Sequence, residues 1–266
     1  MLRRLTNSWW AISLSLYFVY FTGSFGWIVE FLRNRSFSGE SAFWANQPVS
    51  LNLNPPFASS LVVFIALTYL LSFYFEKRTK IVTIIIALII GSLVGFKIYA
   101  AMLCLLALGL LGLWELIKER TFSLIGLLIL SGFASLAILL PNYAAGTAQS
   151  VFIFSPWWMI HTMVDYSDRV GWLKLSQARD AYFQRGDWLK YVLVEGLGFG
   201  LFIAGNLGVR TVALIGFKKY ISEKMGLFLV LVLILSMVIP LLFIQQGTAW
   251  NTIQFFYYAL YIVGLS

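Results

Sequence analysis

Long apolar runs, parted by short charged interruptions, fill this chain from Leu5 to Ser266. A helix needs about 20 apolar residues to cross a hydrocarbon core of about 30 Å. Inside lipid only a helix or a closed barrel satisfies its own backbone N–H and C=O groups. The composition agrees: 60% of residues are hydrophobic and 11% charged, whereas a soluble domain carries roughly 25% charged residues. The expected fold is all-α, a polytopic transmembrane helical bundle, with residues 1–266 forming a single membrane domain.

The formal charge of +8 invites a nucleic-acid reading until the positions are inspected. Lys and Arg gather at the ends of the apolar runs, where they orient spans, so the partner implied is the lipid bilayer and not nucleic acid. Cys104 is the single cysteine and lies within an apolar run, which rules out an intrachain disulfide. His161 is the single histidine, so no histidine cluster can hold a metal, and the expected metal ligands are none. A cofactor is not legible, although a divalent ion is compatible with lipid-phosphate chemistry. The N-terminal apolar stretch lacks a convincing cleavage site and reads as a retained first helix. The run from Thr252 is still apolar at Ser266 and covers about 22 Å, so the chain reads as ending inside a span.

Clear spans are expected at Trp9 to about Ile28, Phe57–Phe75, Phe122–Leu140, Tyr191–Phe217 and Gly226–Ile244, with a last one from about Asn251. The region Ile81–Trp114 is interrupted only at Gly95-Phe96-Lys97. As one span it would place Lys77, Arg78 and Lys80 on the opposite side from Lys118 and Arg120. As a hairpin of two short spans it keeps both basic clusters on one side, as the positive-inside rule prefers. That gives eight spans with the N-terminus cytoplasmic, in an integral, multi-pass protein, the plasma membrane being the expected location.

Two external segments follow, Glu30–Pro56 and Pro141–Lys190. The second holds all the aspartates, Asp165, Asp168, Asp180 and Asp187. Within it Trp172, Leu175, Ala178 and Tyr182 recur at helical spacing, which suits an amphipathic helix lying in the interface. Tryptophans 27, 44, 157, 158, 172, 188 and 250 fall on or beside the same face, as an aromatic belt does.

Candidates for chemistry are few. Glu40, in the first external segment, is a surface carboxylate that can act as a base; a solvated loop acid is the alternative. Glu195 lies inside the sixth span, where a charge is costly enough to imply a function. Arg210, on the same span, is placed to snorkel toward the cytoplasmic side. Lys97, at the hairpin tip, either neutralises a lipid phosphate or snorkels to the headgroups. Trp158 and His161 offer a ring platform and an imidazole, although a single interfacial histidine is more often a packing or hydrogen-bonding residue. The loop from Gln245 to Tyr258 sets amides and hydroxyls beside aromatics, and Gln246 and Asn251 are its candidate sugar-binding groups. Asn54-Pro55-Pro56 marks the N-terminus of the second span.

The turn Gly91-Ser-Leu-Val-Gly-Phe-Lys97-Ile-Tyr between short helices, the Pro55-Pro56 entry and the aromatic external segments resemble the GT-C superfamily of integral-membrane glycosyltransferases, in particular its bacterial mannosyltransferase-like group. The resemblance implies outward-facing transfer of a sugar from a polyprenyl-phosphate donor, with a lipid-linked sugar as partner. It also implies an acidic catalytic motif in the first external loop, where this chain has only the separated Glu30 and Glu40. The other readings are a membrane transporter of lipid or carbohydrate, which needs a polar path across the spans, and a non-catalytic membrane subunit.

Overall fold

The computed structural model describes residues 8–37, 42–143, 152–212 and 223–265. Its described residues form twelve α-helices: α1 (Trp9–Tyr20), α2 (Gly26–Asn34), α3 (Gln47–Leu53), α4 (Pro55–Glu76), α5 (Lys80–Phe96), α6 (Ile98–Glu119), α7 (Ser123–Tyr143), α8 (Trp158–Asp165), α9 (Leu173–Arg185), α10 (Trp188–Leu207), α11 (Lys224–Leu242) and α12 (Phe256–Leu265). Strands β1 (Phe152–Phe154) and β2 (Phe243–Gln245) pair antiparallel in a short staple. The stretches Pro55–Glu76, Ile98–Glu119, Ser123–Pro141, Trp188–Val212 and Lys224–Leu242 are long and apolar enough to cross a membrane, while α1 and α5 are shorter apolar helices. The protein is a multi-pass membrane bundle.

Local sequence signals start the helices where expected. Asn54 accepts a hydrogen bond from Phe57 N at 3.2 Å, with Pro55 and Pro56 in the first turn of α4, where a missing N–H costs nothing. Thr79 caps α5 by accepting from Val82 N. Gly186 ends α9 in the left-handed region at φ 70°, and Asp187 N bonds Tyr182 O, the hydrogen-bond pattern that a glycine after a helix permits.

The Ile81–Trp114 region is a hairpin. Gly91 and Gly95 of α5 face Ala134 and Ile138 of α7, so these two helices run parallel; Gly109 and Gly112 of α6 face Leu128 and Ile125, so α6 runs antiparallel to α7. Lys97, the one residue between α5 and α6, therefore sits at the Pro141 end of α7. A Cβ on Gly91 would lie 2.9 Å from the Ala134 backbone, so only glycine permits this approach. At the opposite end Glu115, fully buried, accepts from Arg78 through both carboxylate oxygens. Lys224 bonds Glu115 at 2.7 Å and Glu119 at 2.6 Å. Arg78 and Lys224, from two inter-helix junctions, thus meet at one end, and these two cations offset the cost of burying the Glu115 carboxylate.

The first span departs from the expected continuous Trp9–Ile28 helix. The chain leaves helical geometry after Tyr20 and resumes at Gly26. Thr22 Oγ1 bonds Phe18 O at 2.6 Å, and the freed backbone is taken up by the end of α10. Phe25 N donates to Gly205 O, and Arg210 Nε donates to Phe18 O at 2.8 Å. A broken helix survives in lipid when neighbouring helices re-satisfy its backbone. Arg210 is fully buried and also donates to Gln47 Oε1 at 3.0 Å, so it closes the break and does not snorkel.

The last apolar run is likewise not one α-helix. A 3-10 segment over Ala249–Phe255 leads into α12, every residue of which is buried. Tyr257 and Tyr258 pack on Phe57, and Tyr258 and Tyr261 on Phe64; Tyr258 shares a hydrogen bond with Ser60. The far end of α12 meets α1, where Ser15 Oγ bonds Leu265 O and Gly264 lies against Val19.

Candidate acid–base site beside the interfacial helix

The apolar stretch that follows Pro141 does not span. After β1 it turns at Ser155–Trp157, where Ser155 N and Trp157 N bond the last carbonyls of α11, and then forms α8. Helix α8 lies against α10 because Gly198 has no side chain: a Cβ there would sit 3.1 Å from Ile160 Cγ2. Leu175 is the one buried residue of α9, and it seats that helix over the α8–α10 seam.

This packing brings His161 of α8 against Glu195 of α10. The imidazole Nε2 lies 2.9 and 3.1 Å from the two carboxylate oxygens. Glu195 is 7% exposed, whereas the His161 side chain is 33% exposed. Tyr191 stands one turn before Glu195 on α10, beside the same carboxylate. The pair faces a small half-open cleft lined by Ile160, Val164, Leu175, Val194 and Gly198 on its apolar side and by His161, Glu195 and Arg179 on its polar side. Arg179 of α9 is clamped by Asp165 at 3.1 and 3.2 Å and by Asp180 at 3.0 Å. Partial burial works against its charge, but the hydrogen bonds and attraction of both carboxylates outweigh it and hold its pKa above the ordinary value.

With Nε2–H donated to Glu195, a neutral His161 keeps Nδ1 as a proton acceptor. A base whose ring is oriented by a buried carboxylate is the arrangement that proton abstraction needs. Strained backbone gathers nearby: Trp44 and Trp157 hold φ of 75° and 64°, a region bulky residues avoid. Trp44 is fixed by its indole N–H to Met159 O, by Trp158 at 5.8 Å between ring centroids, and by the Arg169 guanidinium at 4.0 Å from its ring.

The other sequence candidates lie elsewhere. Lys97 sits over the Tyr99 ring at 5.4 Å, and Tyr99 donates to Gln245 Oε1 at 2.7 Å. Burial lowers the Lys97 pKa from its ordinary value. Gln246 is exposed in the turn after β2. Asn251 donates to Thr248 at 3.5 Å and accepts from Gln254 at 2.7 Å, which is a turn-forming role. Glu40 lies outside the described residues. Glu30 accepts from Asn34, and Arg33 of the same helix donates to the carbonyls of Ser167 and Val170, which ties the two segments read as external to one end of the bundle. Glu195 and His161 are two ligand-type side chains, and among the described residues no third completes a metal-binding group. Sequence reasoning picked Glu195 and His161 separately; it missed Arg179, Asp165 and Tyr191, whose pairing depends on how α8, α9 and α10 pack. No family model, curated protein or solved structure matches the chain.

Proposed function

We propose that this protein is a membrane-embedded glycosyltransferase that moves a sugar from a lipid-phosphate donor at the aromatic, Lys97-bearing face, with His161 and Glu195 as its acid–base unit. The observation that carries the reading is the 2.9 Å His161–Glu195 contact in a cleft at the end of the bundle opposite the basic cluster. A buried carboxylate is costly, and pairing it with a partly exposed imidazole serves proton transfer better than it serves packing. In the reaction His161 accepts the proton of the acceptor hydroxyl while Glu195 steadies the imidazolium. The acceptor oxygen then bonds the anomeric carbon as the sugar–phosphate bond breaks, and the lipid phosphate leaves with the bonding electrons. Lys97, half-buried at the hairpin tip, meets the phosphate. In orientation, the cluster of Arg78, Lys118 and Lys224 faces the cytoplasm and the site faces outward.

The test is reconstitution of the full chain in vesicles with a radiolabelled polyprenyl-phosphate sugar. Glu195→Gln is expected to lower transfer by about 100-fold or more, the scale of a lost general base. Lys97→Ala is expected to weaken donor binding far more than Lys118→Ala does. Equal effects of the two lysine substitutions, or no donor binding by the intact protein, would overturn the reading.

A further inference from the structure

The depth of the acid–base pair bears on what it acts upon. At the α9–α10 junction Phe183, Trp188 and Tyr191 form one ring cluster, with centroids 5.5 to 6.0 Å apart. Trp188 is 60% exposed, and Lys190 extends beside it, paired with Asp187. Exposed aromatics interleaved with cations suit the headgroup level of a bilayer. Glu195 follows Trp188 by seven positions, about 10 Å further along the helix axis. From Val192 to Phe199 the large exposed residues of α10 are Val192, Leu193, Leu197 and Phe199, and all are apolar. With the span taken to begin at Trp188, the carboxylate falls below the headgroups, at the depth of the glycerol backbone and first methylenes.

We infer that the acceptor of the transfer is an uncharged hydroxyl of a membrane lipid, such as a diacylglycerol or a long-chain alcohol, presented to His161 from the bilayer; this rests on the glycosyl-transfer reading above. A water-soluble acceptor would have to shed its hydration to reach a base at that depth, whereas a lipid hydroxyl is held there by its own tails. The local charge favours a neutral group. Arg179, the cation of the cleft, is already engaged by Asp165 and Asp180, which leaves it unavailable to the phosphate of a charged acceptor. Val192 and Phe199, one turn either side of Glu195 on α10 and both exposed, offer contact for methylenes next to the hydroxyl. The proton taken by Nδ1 passes to the departing lipid phosphate. The product is a neutral glycolipid, and the lipid phosphate departs as an anion.

The experiment uses the full chain in phosphatidylcholine vesicles with polyprenyl-phosphate-linked radiolabelled mannose or glucose. Diacylglycerol, a long-chain alcohol, or soluble oligosaccharides and alcohols are supplied as separate acceptors. Label is expected in a neutral, solvent-extractable glycolipid with one of the two lipid acceptors, which identifies the source. It should fall about 100-fold in Glu195→Gln and His161→Phe and persist in Glu223→Gln. Label passing to a soluble acceptor while both lipids stay inert would overturn the inference and leave glycosyl transfer standing. Label that never leaves the donor, with no donor binding, would remove the transfer reading and the inference together. If the variants do not fold, a photoreactive diacylglycerol on the unaltered protein decides the matter. Cross-links on residues 191–198 or 157–164 support the site, and cross-links confined to other helices reject it.

Discussion

Gly198→Val tests the link between helix packing and chemistry most directly. A bare Cβ at Gly198 already lies 3.1 Å from Ile160 Cγ2, closer than ordinary van der Waals contact, and is 4.0 Å from Val164 Cγ2. The two further methyls of valine have no room there, so α8 must move away from α10. Overpacking of this kind costs about 1–3 kcal/mol. A displacement near 1 Å would stretch the His161–Glu195 contact from 2.9 Å beyond hydrogen-bond range and release the imidazole, and a 1 Å misplacement costs about 100-fold in rate. The variant should melt earlier in detergent and lose transfer out of proportion to its folded fraction. Gly196 and Gly200 are internal controls, since a Cβ at either meets nothing within 4 Å; Gly196→Val and Gly200→Val should keep activity. Adding Ile160→Ala to Gly198→Val should recover part of both losses, with a coupling of about 0.5–3 kcal/mol. Equal losses at all three glycines, or no recovery in the double variant, would refute the argument that Gly198 sets the α8–α10 spacing.

Glu115→Gln leaves Arg78 and Lys224 facing each other without their shared carboxylate. Stability in detergent should fall by about 2–3 kcal/mol, less than the 3–5 kcal/mol of a fully buried broken pair because both cations are partly exposed. Arg210→Met removes the donors to Phe18 O and Gln47 and should cost about 2–3 kcal/mol, read as a lower melting temperature; an unchanged one would show that the helix break closes without it. Burial disfavours the charged form of Lys97, whose pKa lies below the ordinary lysine value. A bound phosphate needs the protonated amine, so donor binding should be full at low pH and weaken as pH rises through that lowered value. Lys97→Arg, which keeps its charge, should flatten the curve, and a wild-type curve already flat would argue against Lys97 as the phosphate contact. Cysteines placed at Gln177 and Lys97 should label from one side of sealed cells, and a cysteine at Lys118 from the other; labelling of all three from one side would overturn the topology.

The membrane class and the hairpin at Lys97 were legible in the sequence because each rests on a local quantity: run length, charge position, and the side of the membrane that lysine and arginine prefer. The Pro55–Pro56 helix start and the helix over Leu173–Arg185 were legible for the same reason, caps and spacing being read within a few residues. The breaks were not. Trp9–Ile28 carries no charge, and Thr22-Gly23-Ser24 permits an interruption without demanding one until Gly205 and Arg210 arrive from nearly two hundred positions away to bond the released backbone. Glu195 stood out alone because a carboxylate in an apolar run is conspicuous by composition, and His161 because it is the single histidine. Their meeting was decided by a missing side chain at Gly198 and one buried leucine at position 175, which are unremarkable as sequence. Burial cost is a property of one residue and can be read along the chain; the partner that offsets it belongs to the tertiary packing, which alone set His161 against Glu195 and brought Arg179 to the same cleft.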